Sequence, residues 1–136
     1  GKQGNKLYIH EILYKTKFTN QMIIDYIKRH DLQNKLIYAE SAEPKSIDFL
    51  STELWVKPAT KGAGSIMAGI MLLKDHEIIV SKQSKNMIKE FYNYWWEKTK
   101  NGQIINVPRD KHNHCMDALR YMVFSRWKKG DNFFVI

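Results

Sequence analysis

One cysteine, Cys115, stands among the 136 residues, so neither an intramolecular disulfide framework nor a cysteine-rich zinc site is available. No apolar run approaches the roughly 18 residues that read as a membrane span, and no membrane partner is expected. Behind Gly1-Lys2-Gln3-Gly4-Asn5 there is no apolar stretch of the signal-peptide kind, which makes a reducing cytosol the expected compartment. Repeats, low-complexity tracts and Pro/Gly/Ser linkers are also missing, so one domain is expected over the whole chain. Acidic residues are the minority charge, 14 against 22 Lys plus Arg, for a formal net charge of +8. That excess favours polyanionic partners such as nucleic acid and says nothing about the fold. Hydrophobic residues at 43% and charged residues at 26% exclude a disordered tail and fit a folded domain.

Strand and helix patterns alternate. Lys6 to Tyr14 reads as a strand. Thr19 suits the cap of a helix reaching about Arg29, with Met22, Ile23, Tyr26 and Ile27 at helical spacing. Leu36 to Ala39 has the apolar character of a short buried strand, and Pro44 suits the first turn of a helix to about Ser51. Leu54 to Lys57 reads as a strand, then Ala59 to Gly64 as a loop, with Ser65 as the cap of a helix from Ile66. Glu77 to Val80 is a brief strand. Helices follow from about Ser84 to Thr99, where Met87, Phe91 and Trp95 are four apart, and from near Asn113 to Trp127. This alternation indicates an α/β architecture.

Two segments have the residue types for metal chemistry. Glu40 stands at the carboxyl end of an apolar strand, where open α/β sheets bind ligands; the plainer reading is a carboxylate that solvates the strand end or caps the next helix. His114 and Asp117, three apart, share one face of the last helix, while Cys115, Ala118, Leu119 and Met122 take the neighbouring, inward face. An ordinary surface pair between Asp117 and Arg120 is the alternative there. Carboxylates converging from different elements suit hard cations such as Mg2+ or Mn2+. Two such ions stabilise the attacking and leaving oxygens of a phosphodiester displacement, and a nearby histidine orients the water or protonates the leaving oxygen.

The loop from Lys57 through Lys61, Gly62 and Gly64 to Ser65 suits a DNA-phosphate contact, its lysines supplying charge and the following helix N-terminus favouring an anion. A plain connecting loop fits as well. It is not a Walker A loop, because the lysine precedes the glycines. Phe91-Tyr92-Asn93-Tyr94-Trp95-Trp96 has helical spacing and reads as core, with Tyr94 or Trp96 exposed, rather than as a base-stacking platform. His10, His30 and His76 show no partner in the sequence, and Lys128-Lys129 reads as solvation of a helix end.

In order and spacing, Ile37-Tyr38-Ala39-Glu40-Ser41-Ala42-Glu43-Pro44-Lys45-Ser46-Ile47, then Lys57-Pro58-Ala59, Lys61-Gly62 and Gly64-Ser65-Ile66, then Asn113 to Tyr121, resemble the C-terminal nuclease domain of the large terminase subunit of tailed bacteriophages and prophages. The resemblance runs from about Lys6 to Trp127. It implies an RNase H-like fold and a metal-dependent endonuclease that cuts double-stranded DNA during genome packaging in the cytoplasm of a bacterial host. It implies two Mg2+ or Mn2+ ions, with Glu40 and Asp117 as ligands and His114 beside them as an auxiliary catalytic residue, and Lys57 and Lys61 on the DNA backbone. The family's further partners are a terminase ATPase domain, a small terminase subunit and the portal; no Walker motif, and so no ATPase, occurs in this chain. Two departures stand out. The family has Asp where this sequence has Glu40, with Glu43 the nearby carboxylate that would compensate or serve the helix start. The family's first strand and its Asp have no counterpart here, which predicts that the remaining strands re-pair or borrow pairing from another chain, as in a homo-oligomer. The alternative function is a catalytically silent remnant that binds DNA or packaging partners; a junction resolvase or integrase fits the combined motifs poorly.

Overall fold

Strands and helices alternate as the apolar pattern predicts. In order they are β1 (Lys2–Gln3), β2 (Lys6–Ile9), α1 (Asn20–Arg29), β3 (Ile37–Ala39), α2 (Pro44–Ser51), β4 (Val56–Pro58), α3 (Ser65–Lys74), β5 (Glu77–Val80), α4 (Lys85–Asn93), β6 (Trp96–Lys98), β7 (Ile104–Pro108) and α5 (His114–Trp127). The computed structural model describes residues 1–94, 96–98, 100–108 and 113–127.

Parallel pairing occurs in two separate places. β2 lies between β1, antiparallel to it, and β5, parallel to it with Leu7 opposite Ile78 and Ile9 opposite Val80. β3 pairs parallel with β4, Tyr38 opposite Lys57. Among the described residues no strand joins these two sheets.

Local chemistry sets most helix starts. Thr19 Oγ1 accepts the Met22 N–H at 3.2 Å, and Pro44 occupies the first turn of α2. Ser65 does not cap α3 but is its first residue and is buried. Gly64 takes the cap position at φ +76°, a left-handed turn that costs glycine little.

Two apolar clusters hold the layers. Leu7, Leu73, Met87, Cys115, Met116, Leu119 and Val123 join β2, α3, α4 and α5, while Ile24, Leu50 and Leu54 join α1, α2 and the turn before β4. Val123 is 0% exposed; fully burying a side chain of this kind contributes about 1.5–3 kcal/mol. α5 is the hub, and it buries polar as well as apolar residues: Arg120, Ser125 and Arg126 are all inside. Ala118, expected on the inward face, is exposed.

Two elements differ from the sequence-based expectation. The strand read from Lys6 to Tyr14 ends at Ile9, because its partner β5 ends at Val80 and the last backbone bond runs from Ser81 N–H to Ile9 O at 3.0 Å. The helix read to Thr99 ends at Asn93; Tyr94 is extended, and Trp96–Lys98 pairs antiparallel with Ile104–Pro108 instead. The Asn101-Gly102 turn, with Gly102 at φ +79°, is the hairpin signal that outweighs the helical spacing through Trp95. Trp95 itself and Lys128-Lys129 lie outside the described residues. Tyr92 is exposed, at 83%, and Tyr94 is half-buried; the exposure expected for the Trp96 side chain lies outside the described residues.

Candidate active site

The carboxyl end of β3 delivers Glu40 to the surface. Ala59 N–H bonds Ala39 O at 2.7 Å, which carries the β3–β4 pairing to the end of both strands and places the 59–64 loop beside Glu40. Thr60 N–H donates to Ser125 Oγ at 2.7 Å and pins that loop to α5. Lys61 Nζ then ion-pairs with Glu40 Oε1 and lies 5.0 Å from the Tyr121 ring centroid. The hydrogen bond to Glu40 raises the Lys61 pKa against the opposing pull of burial, with Tyr121 adding to the rise.

Asp117 is held from within its own helix. Its Oδ1 accepts from Arg120 Nη2 at 2.7 Å, and Arg120 Cζ lies 4.8 Å from the Tyr121 ring. The Arg120 side chain is 6% exposed and Asp117 29%, so this is not the surface pair considered from sequence. Burial pulls the Arg120 pKa down, and the Asp117 hydrogen bond and charge outweigh it, leaving the guanidinium raised. Tyr94 belongs to the same cluster: burial raises its pKa, Arg120 opposes the shift and Asp117 adds to it. Glu40, Lys61, Tyr121, Arg120 and Asp117 thus form a continuous chain of contacts from the β3 end to α5.

His114 is exposed at the first position of α5. Lys57 is exposed on β4, on the strand that leads into the Lys61 loop. Glu43 does not join Glu40; its Oε2 accepts from Ser46 Oγ at 3.0 Å, at the start of α2. The remaining histidines have local partners: His10 Nδ1 with Ser81 Oγ at 2.6 Å, His30 Nδ1 with Tyr26 O at 2.8 Å, and His76 stacked on Trp127 at 4.8 Å.

Sequence reasoning did not find the groups that hold the N-termini of α4 and α5. Glu90, only 3% exposed, accepts the Cys115 and Met116 N–H groups through Oε2 at 2.6 and 3.1 Å, and Tyr14 OH through Oε1 at 3.3 Å. Glu11 does the same for α4, accepting Met87 N–H at 2.8 Å and Asn86 Nδ2 at 2.6 Å. No sequence-local pattern marks them, because each acceptor lies far along the chain from its donors.

Glu40 and Asp117 are oxygen donors from different elements, the ligand type a hard divalent cation takes, and in this structure each is paired with a cationic side chain. Mg2+ keeps several waters and takes one or two protein carboxylates, so Glu40 and Asp117 fit it chemically. Among the described residues no group of three or more His, Cys, Asp or Glu is assembled for a metal.

The family described as Terminase RNAseH like domain matches residues 2–124. The chain is 32% identical over 134 residues to the terminase large subunit of Bacillus phage SPP1, covering 95% of this chain and 32% of that protein. It is 29% identical over 117 residues to the PBSX phage terminase large subunit of Bacillus subtilis (strain 168), covering 85% and 27%. The chain thus spans about a third of the length of these curated relatives. Its structure is similar to that of the large terminase nuclease domain of bacteriophage SPP1 with bound Mn, at a TM-score of 0.77 and 31% identity over 88% of this chain and 71% of that one. Both the sequence motifs and the α/β arrangement are accounted for: the chain belongs to the terminase RNase H-like domain family and has that family's fold.

Proposed function

We propose that this chain is one nuclease domain of a phage terminase large subunit and hydrolyses phosphodiesters of double-stranded DNA during genome packaging. The observation that carries the reading is the run of contacts joining Glu40 to Asp117 across Lys61, Tyr121 and Arg120, in a fold whose solved relative holds Mn. Glu40 and Asp117 would hold Mg2+ or Mn2+, in the paired arrangement implied by the family. A bound divalent ion supplies charge stabilisation at the phosphate and a more acidic water. Lys61 and Lys57 bind the DNA backbone. His114 handles the proton, orienting the attacking water or protonating the leaving oxygen. The associated partners are a terminase ATPase domain, a small terminase subunit and the portal, in the cytoplasm of a bacterial host.

Supercoiled plasmid incubated with this chain and Mn2+, Mg2+ or EDTA tests the reading, beside Asp117→Asn and Glu40→Gln. Metal-dependent nicking lost in both variants is expected. A folded chain that binds DNA and nicks nothing with either metal overturns it. That outcome supports the second reading, a silent DNA-binding remnant, which the pairing of each carboxylate with a cationic side chain favours.

A further inference from the structure

The first turn of a helix leaves N–H groups without partners inside the helix, and in α5 these lie on the segment that carries His114 and Asp117. Two of them, on Cys115 and Met116, are taken by one oxygen of Glu90. Glu90 comes from another helix, is buried, and has its second oxygen held by Tyr14 OH. α4, which carries it, is anchored at its own N-terminus by Glu11 from the chain beyond β2. A ladder of two carboxylates therefore runs from the sheet through α4 to the start of α5. A carboxylate at a helix N-terminus also complements the helix dipole.

We infer that Glu90 is a positioning residue: it fixes the rotation and starting point of α5 and so aims His114 and Asp117 at the site. The inference rests on the proposed nuclease reading and adds the group that sets its geometry. From α5, Arg120 reaches Asp117 one turn on and steadies its carboxylate, but it cannot set where the helix begins. Glu90 touches neither DNA nor metal in this scheme and acts only through the backbone of residues 115 and 116.

Glu90→Gln tests this with little change of shape; Glu90→Asp keeps the charge on a shorter arm, and circular dichroism confirms folding. The measurements are amide hydrogen exchange at Cys115, Met116 and Asp117, the Mn2+ titration midpoint read by paramagnetic broadening of His114, and plasmid nicking. Expected for Glu90→Gln is exchange faster at residues 115–117 than elsewhere in α5, with Mn2+ affinity and nicking reduced about 10- to 100-fold, the usual range for groups that orient metal ligands. Glu90→Asp recovers part of both. Wild-type exchange, or wild-type Mn2+ midpoint and nicking despite loosened amides, overturns the inference and leaves Glu90 as a structural cap. A wild-type chain that neither binds Mn2+ nor nicks DNA defeats the nuclease reading instead, and the exchange measurement then decides whether Glu90 fixes the turn.

Discussion

Asp117 accepts a hydrogen bond from the buried guanidinium of Arg120 at 2.7 Å, so a carboxylate proposed as a metal ligand also neutralises an interior cation. Removing it has two consequences. Asp117→Ala leaves Arg120 buried without its charge partner, and removing one member of a buried ion pair costs about 3–5 kcal/mol. Asp117→Asn keeps an oxygen on Arg120 while removing the negative charge. Urea unfolding is expected to show Asp117→Ala as the less stable of the two, with both inactive in nicking. Equal stability of both variants and wild type would mean that the pair contributes nothing to the fold.

Gly69 leaves the room Arg120 needs. A Cβ on Gly69 would stand 2.4 Å from Arg120 Cγ, within a buried side chain and not at its free end. Gly69→Ala must push Arg120 aside, and overpacking of this kind costs about 1–3 kcal/mol. Helix propensity alone would favour Ala over Gly. The expected outcome is a lower Tm together with slower nicking, since displaced Arg120 moves Asp117. A raised Tm would show that Arg120 yields without strain.

These contacts mark the limit of what the chain pattern shows. Thr19 and Pro44 were legible because a cap acts within three residues of itself, and the alternation of strands and helices needed only local periodicity. The placement of Glu40 after β3 and of His114 and Asp117 on α5 is legible for the same reason. Arg120 reads as a surface partner of Asp117 until α3 brings Gly69 against it, and Glu90 reads as an ordinary helix charge until α5 docks on it. The hairpin from Trp96 to Pro108 was missed because aromatic spacing imitated a helix.

Lys61 stands on Glu40 where a cation is expected to bind. Lys61→Met removes that competitor and also one positive charge from the DNA face. Mn2+ binding is expected to tighten in the absence of DNA, while DNA binding weakens. The slope of log affinity against log salt is expected to fall by about 1, as for one lost phosphate contact. Titrations of metal and of duplex DNA at several salt concentrations separate the two effects. Weaker Mn2+ binding in the variant would count against competition at Glu40.

Cys115 makes alkaline stability a readout of the α5 start. Burial pushes its thiol pKa up from 9.0 to about 12, with the charges of Glu90 and Glu11 adding to the rise. Between those values the unfolded chain has lost a proton that the native chain retains. Stability therefore falls as pH rises through this window, and the thiol's contribution is fully present below pH 9. Tyr14 and Tyr94, both raised from 10.0 chiefly by burial, act with the same sign at the upper end. Chemical denaturation from pH 8 to 11 is expected to show declining stability, less steep in Cys115→Ala. The small cavity left by Ala shifts the whole curve and leaves its slope alone, so the slope isolates the thiol. The native thiol is expected to react slowly with alkylating reagents at pH 8, because the thiolate is the nucleophile. An unchanged slope in Cys115→Ala, with fast alkylation of the native protein, would place Cys115 in water and away from Glu90.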